Sequence, residues 1–266
     1  MSKEYKTPEI YIEETSKPPP SIAPVETAIP AFIGYTPKAR KLEVGDLAYV
    51  PTLIVSMLEY EHYFGGLVNE TITITINDEI KKVGAIATPD SRKIKAKVPF
   101  LKNNMHYQLQ LYFANGGGPC YIVSVGRPKS LLNKKDLKKG LDEIYNCDEP
   151  TLILFPDGVN LAKALDLYDL YNEALMQAYE LKERFVIMDI SSNSLNGKTS
   201  IGFFRDSISG GENPGSLKYG AAYYPLLIST ISYHYADSSV AIIHNTVIKE
   251  QGEPPSLQGN HGDHQE

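Results

Sequence analysis

The chain has 266 residues, 42% of them hydrophobic and 22% charged, with a formal net charge of −6. That length holds one large core or two small ones. The acidic balance excludes broad nucleic-acid affinity, which needs a basic excess to displace counterions from phosphates. No apolar run reaches the roughly 18–20 residues that span a bilayer. Lys3, Glu4 and Lys6 precede any apolar stretch, so there is no signal-peptide core and synthesis in the cytoplasm is the expectation.

Residues 1–30 read as an extended arm. Tyr5 opens a stretch in which Ile10, Tyr11, Ile12 and Glu13 alternate as a strand does, apolar on one face and mixed on the other. Pro18-Pro19-Pro20 then forbids a helix and holds a stiff polyproline-like path. Such a strand has no local partner and is suited to joining another molecule's sheet. About 30 extended residues reach up to about 100 Å. The run Ala28 to Gly34 leads into an α/β core expected over 31–248.

Within that core a helix is expected from Leu53 to Phe64, closed by Gly65-Gly66 in a left-handed cap. Thr71 to Ile76 alternates β-branched residues and predicts a strand, Asn77-Asp78 a turn, and Lys81 to Thr88 a returning partner. Together they make a small β-rich insertion over 66–103. Asn104 to Ala114 predicts a helix ending at Asn115-Gly116-Gly117-Gly118, and Cys120 to Val125 an apolar strand. Asn133 is placed to cap a helix from Lys134 to Tyr145, and Thr151 to Phe155 forms the next strand.

Asn160 is expected to cap the longest helix, with a stripe of Leu161, Leu165, Tyr168, Tyr171, Leu175, Ala178 and Leu181. Phe185 to Ile190 is a third apolar strand, and Ser238 to Ile243 a further one. Apolar strands alternating with helices predict an α/β fold, a doubly wound, mostly parallel sheet covered on both faces. From Lys249 the chain turns polar, so 249–266 reads as a disordered tail.

Catalytic patterns fail one by one. Asn196-Gly197-Lys198-Thr199-Ser200 resembles the end of a phosphate-binding loop, but the first glycine that motif needs is Ser192. Gly116-Gly117-Gly118 precedes a strand, whereas the dinucleotide fingerprint follows one. His234 and His244 with Asp157, Asp189 and Asp206 lack a nucleophile elbow, and Ser209 lies outside any such context. His261, Asp263, His264 and Glu266 have metal-capable groups but polar flanks that supply no orienting shell. Cys120 and Cys147 read as buried thiols rather than a disulfide. The 18 tyrosines, with no tryptophan, suit either subunit interfaces or a core with satisfied hydroxyls. No catalytic residue, cofactor or metal site is expected.

Other residues match a structural class. Thr7-Pro8-Glu9-Ile10-Tyr11-Ile12-Glu13-Glu14, Pro20-Ser21-Ile22 and Val25 through Gly34 resemble the N-terminus of contractile tail sheath proteins. Tyr112 to Val123, Pro150 to Asp157, Arg184 to Asp189 and Ala221 to Pro225 follow in the order of that family, which is found in phage tails and contractile injection systems. The resemblance implies a non-enzymatic subunit, made in the cytoplasm, that stacks as six-fold rings in a tail or injection particle. Its partners would be other copies or sheath paralogues, an inner tube protein, and baseplate and terminator proteins, without nucleic acid or membrane insertion. It also implies strand exchange between subunits through the arm at Tyr5, Ile10, Tyr11, Ile12 and Glu13. Sheath proteins continue past the equivalent of Ile243 into a further domain, whereas this chain runs into Gln251-Gly252-Glu253-Pro254-Pro255. A truncated paralogue serving as cap or adaptor is therefore the alternative. A small-molecule enzyme is the other; a polar pocket at the strand ends near Val125, Phe155 and Ile190 would mark it.

Overall fold

A computed structural model of the chain describes residues 28–83, 86–97, 104–128, 131–191, 200–210 and 213–250. They form an α/β fold with two sheets. The larger contains β1 (Pro30–Gly34), β2 (Thr52–Ile54), β5 (Cys120–Ser124), β6 (Leu152–Leu154), β7 (Phe185–Asp189) and β8 (Gly220–Tyr223). Their spatial order is β2-β5-β1-β6-β7-β8, with every pair parallel except β2 with β5. The five parallel strands thus stand in the order second, first, third, fourth, fifth. The winding direction reverses between β1 and β6, as in doubly wound nucleotide- and flavin-binding sheets.

Alternation along β1 divides the core. Ala31 and Ile33 face a cluster with α3 (Lys134–Ile144) and α4 (Ala164–Leu181), built on Leu137, Leu141, Leu167, Tyr171 and Leu175. Phe32 faces the opposite cluster with Ile122, against Tyr60 and Phe64 of α1 (Met57–Phe64) and Met105 and Leu109 of α2 (Asn104–Ala114). Every residue of β1 and β5 is buried, as expected for parallel strands covered on both faces. On the α4 side, Phe204 of α5 (Ser200–Ser207) packs edge-on against Tyr168, with centroids 5.3 Å apart. No helix among the described residues is long and apolar enough to cross a membrane.

Several expected boundaries move. The helix read from Leu53 begins only at Met57, because Thr52–Ile54 pairs with β5. Ser56 Oγ then accepts from Glu59 N, and Glu59 Oε2 accepts from Val55 N, a Ser-x-x-Glu cap at the true start. Gly65 ends α1 at φ +88°, but with extended ψ rather than a left-handed cap. Asn160 does not cap α4. It ends a 3-10 turn, Gly158–Asn160, and α4 starts at Ala164 with Lys163 as its cap residue. Leu165, placed in the apolar stripe, is exposed, and Leu161 is buried ahead of the helix. Cys120 is buried, whereas Cys147 is only partly so. Asn133 does cap α3, accepting from Lys135 N at 2.9 Å.

The β-insertion departs furthest from its sequence reading. No turn forms at Asn77-Asp78. Instead β3 (Ile72–Val83) runs straight through and pairs antiparallel with β4 (Ile86–Lys97), so Lys81 to Thr88 is not a returning strand. A bulge at Glu79/Ile80 leaves Asp90 between paired positions. On the other side β3 pairs in parallel with β9 (Val240–Glu250), which places Lys249 and Glu250 in a strand rather than in the polar tail. Residues 251–266 lie outside the described residues. The segments leading into β3 and β9 are tied to each other, Tyr233 Oη donating to Glu70, and to α2, where Tyr107 Oη accepts from His234 N.

Gly140 marks how closely α3 lies on the sheet. A Cβ there would sit 2.6 Å from Ile33 Cγ2 and 2.6 Å from Val125 Cγ1. Gly140→Ala is expected to lower stability by about 1–2 kcal/mol, overpacking outweighing the gain of about 1 kcal/mol in helix propensity. Urea midpoints of the two proteins measure this.

Candidate functional site

The arm residues Tyr5, Ile10, Tyr11, Ile12 and Glu13 lie outside the described residues. The structure does describe the sheet edges that a foreign strand would meet. In the main sheet these are short, three residues in β2 and four in β8. In the second sheet, ordered β4-β3-β9, they are long, twelve residues in β4 and eleven in β9. Sheet edges left bare are ready templates for another chain and are usually blunted by charge, proline or a bulge. The β4 edge is blunted in all three ways, by Lys93, Lys95 and Lys97, by Pro89, and by the bulged Asp90. Strand β9, Val-Ala-Ile-Ile-His-Asn-Thr-Val-Ile-Lys-Glu, has no proline and no Lys before Lys249. Among the described residues no strand pairs with its outer edge.

No described side chain of this three-stranded sheet is buried. Residues paired across strands share a face. One face therefore carries Ile72, Ile74, Ile76 and Ile80 of β3, Ile94 and Ala96 of β4, and Val240, Ile242 and Ile248 of β9. The opposite face carries Thr73, Thr75, Asn77, Glu79 and Lys81 along its central strand. Amid the isoleucines, Asp78 takes both arms of a bidentate bond from Arg92, at 2.7 and 2.8 Å. His244 Nε2 stands 2.7 Å from the same carboxylate. These bonds, Arg92's above all, hold the Asp78 carboxyl well below the usual carboxylate range.

The carboxyl end of the main sheet is where doubly wound folds bind ligands, at the reversal between β1 and β6. Here that position is filled. Asp157, following β6, is 2% exposed and accepts a 2.7 Å hydrogen bond from Tyr35 N, following β1. Gly34 lies close beneath it: a Cβ there would sit 2.5 Å from Asp157 Oδ2 and 2.8 Å from Met105 Cε, so a larger residue would have to displace those side-chain ends. Burial pushes the Asp157 carboxyl up to about 7, opposed by the Tyr35 amide. Beside it, a cleft of about 340 Å³ opens over β1 and β5, lined by Thr36, Lys38, Arg40, Ser124, Gly126 and Arg127 among others. Thr36 Oγ1 donates to Lys38 O at 2.7 Å, so the Ser124 hydroxyl must donate to Thr36 across their 2.5 Å contact.

The polar groups named as a hydrolase constellation are not brought together. His244 sits on Asp78 in the second sheet, His234 N bonds Tyr107, and Asp157 is sealed on Tyr35. Asp189 N bonds Tyr171 Oη, while Ser209 N bonds Asn172. The C-terminal His261, Asp263, His264 and Glu266 lie outside the described residues, as does most of the Asn196–Ser200 stretch. Sequence reading placed a strand at Ser238 to Ile243 but missed its extension to Glu250 and its position at the edge of the second sheet, whose only local signal is an aliphatic run free of proline. It also missed a knob after β8, where Leu227 and Ile228 are 90% and 101% exposed. No protein-family model and no curated protein matches this chain.

The buried Asp157 gives stability a definite pH dependence. A carboxyl whose folded pKa is raised from 3.8 to about 7 stabilises the fold fully below the unfolded value. The contribution is lost as pH rises through the folded value. Between pH 5 and 8 this group is expected to remove about 2–3 kcal/mol of stability. Asp157→Asn keeps an oxygen for Tyr35 N and does not ionise, so the difference between the two proteins should grow with pH over that range. Denaturant melts at pH 5 and 8 check it; an equal pH response in both would contradict the assignment.

Proposed function

We propose that this chain is a structural subunit of a contractile sheath, polymerising in stacked six-fold rings around an inner tube and driving that tube through a target envelope on contraction. The observation that carries the reading is the long, unblunted outer edge of β9, on a sheet that buries none of its described side chains. An extended segment that alternates as Ile10, Tyr11, Ile12 and Glu13 do is the complement of such an edge. It adds main-chain hydrogen bonds along one side, and alternate side chains meet the sheet. The ordered resemblance of Thr7–Glu14, Tyr112–Val123 and Ala221–Pro225 to sheath proteins supports the same assignment.

On this reading the arm of one subunit extends the sheet of a neighbour at β9, keeping subunits linked while their bodies move. Other copies are the first partners, followed by the inner tube and the baseplate and terminator proteins of a phage tail or injection particle. The energy of contraction is the difference between two packings of the same subunits, with no nucleotide consumed. Deleting residues 1–20 is expected to leave the α/β fold intact by circular dichroism and to abolish polymers in electron micrographs. Sheath-like tubes formed by the deletion would refute the arm's role.

A further inference from the structure

Beside the sealed Asp157, the cleft of about 340 Å³ lies at the carboxyl ends of β1 and β5, the end of a parallel sheet where small ligands sit. We propose that it binds a small phosphate ester. Lys38, Arg40 and Arg127 hold the phosphate at the rim, and the uncharged end of the ligand is directed at the floor. The site does not rest on the sheath reading, so neither fails with the other.

The rim is cationic and unmatched. Lys38 and Arg40 follow β1 and Arg127 follows β5, so the charges stand on two neighbouring loops. No aspartate or glutamate lines the cleft, on a chain whose net charge is −6. Among the described residues no carboxylate pairs with any of the three, whereas Lys81, Lys134, Lys138 and Lys249 each hold one. Arg40 Nε donates to Leu42 O at 3.2 Å, and that bond leaves the two terminal nitrogens of the guanidinium to a ligand. Arginine forks match phosphate oxygens in pairs, and a lysine adds a point charge.

The loops are held before any ligand arrives. The amides of Lys38 and Arg40 donate to Phe64 O and Tyr63 O at the end of α1, both at 3.0 Å. Thr36 N donates to Gly126 O at 2.9 Å and ties the two loops together. Backbone already fixed at the binding residues lowers the ordering cost of binding.

The floor sets the direction of the ligand. Thr36 and Ser124 are each 1% exposed, and both hydroxyl hydrogens are committed, Thr36 to Lys38 O and Ser124 to Thr36 Oγ1. What remains on them is lone pairs, which repel a phosphate oxygen and accept from a hydroxyl. The volume, near the lower end of the usual range for ligand pockets, suits a phosphate on a short hydroxylated chain.

Calorimetric titration of the full chain at low salt with glycerol 3-phosphate, inorganic phosphate and a triglutamate peptide tests the site. Glycerol 3-phosphate is expected to saturate one site and to bind at least about threefold more tightly than inorganic phosphate, the gain of one neutral hydrogen bond. Lys38→Ala, Arg40→Ala and Arg127→Ala should each weaken it at least about tenfold, the loss of a charged one. All three side chains are exposed, so the variants should keep the circular dichroism of the parent. Lys218→Ala, next to the opposite edge strand β8, should bind as the parent does. No saturable binding at millimolar ester would overturn the proposal, as would equal affinity for ester and inorganic phosphate. An equal loss in Lys218→Ala would also overturn it, showing diffuse attraction to surface charge. Tighter binding of triglutamate would do the same, showing that the rim docks carboxylates of a protein partner.

Discussion

An aliphatic sheet face costs roughly 25 cal/mol for each Å² it leaves in water, and a bare strand edge leaves a row of backbone groups unpaired within the protein. The main sheet meets both constraints internally. Its central strands are buried from end to end, helices cover both faces, and its edges are only three and four residues long. Among the described residues the second sheet meets neither, with an isoleucine face that nothing buries and an eleven-residue edge at β9. The contrast within one chain separates a sheet that buries its own central strands from one whose described side chains all keep some exposure.

The division also organises the chemistry. In the main sheet, polar groups are turned inward to hold strands and helices together. Tyr168 and Tyr171 of α4 accept from Ser191 N and Asp189 N at the end of β7. Arg184, fully buried, donates to the carbonyls of Tyr145 and Cys147 and to Gln177, joining the end of α3 to α4 and β7. Asp157 seals the reversal point onto Tyr35. In the second sheet the polar groups are instead paired across strands, Asp78 with Arg92 and His244, and Asn77 with Asn245. The His244 and Asn245 contacts hold the register of β9 on β3, and that of Arg92 the register of β4, without needing a core.

Local signals made much of the α/β layer legible. Asn104–Ala114 stood out because Gly116-Gly117-Gly118 stops it, and α3 because Asn133 is a strong cap. Apolar runs at Cys120, Leu152 and Phe185 gave three parallel strands. Where reading failed, distant partners decided the outcome. Asn77-Asp78 has turn chemistry, yet Asp78 is held in a strand by Arg92 fourteen residues away and by His244 166 residues away. Asn160 has cap chemistry, yet its amide closes the 3-10 turn on Asp157 O and the helix waits until Ala164. The pairing of β9 with β3 leaves no local trace, since both strands would read the same in any sheet. The burial of Asp157 depends equally on a distant glycine, Gly34, that no motif links to it.

The proposed assembly depends on β9 as an edge completed by another subunit. Hydrogen exchange of backbone amides, followed by mass spectrometry on free subunits and on assembled polymer, tests that most directly. Assembly is predicted to slow exchange strongly in residues 240–250, while the outer edge of β4, blunted by lysines and the bulge at Asp90, changes far less. Unchanged exchange in 240–250 on assembly, or protection confined to β4, would contradict it.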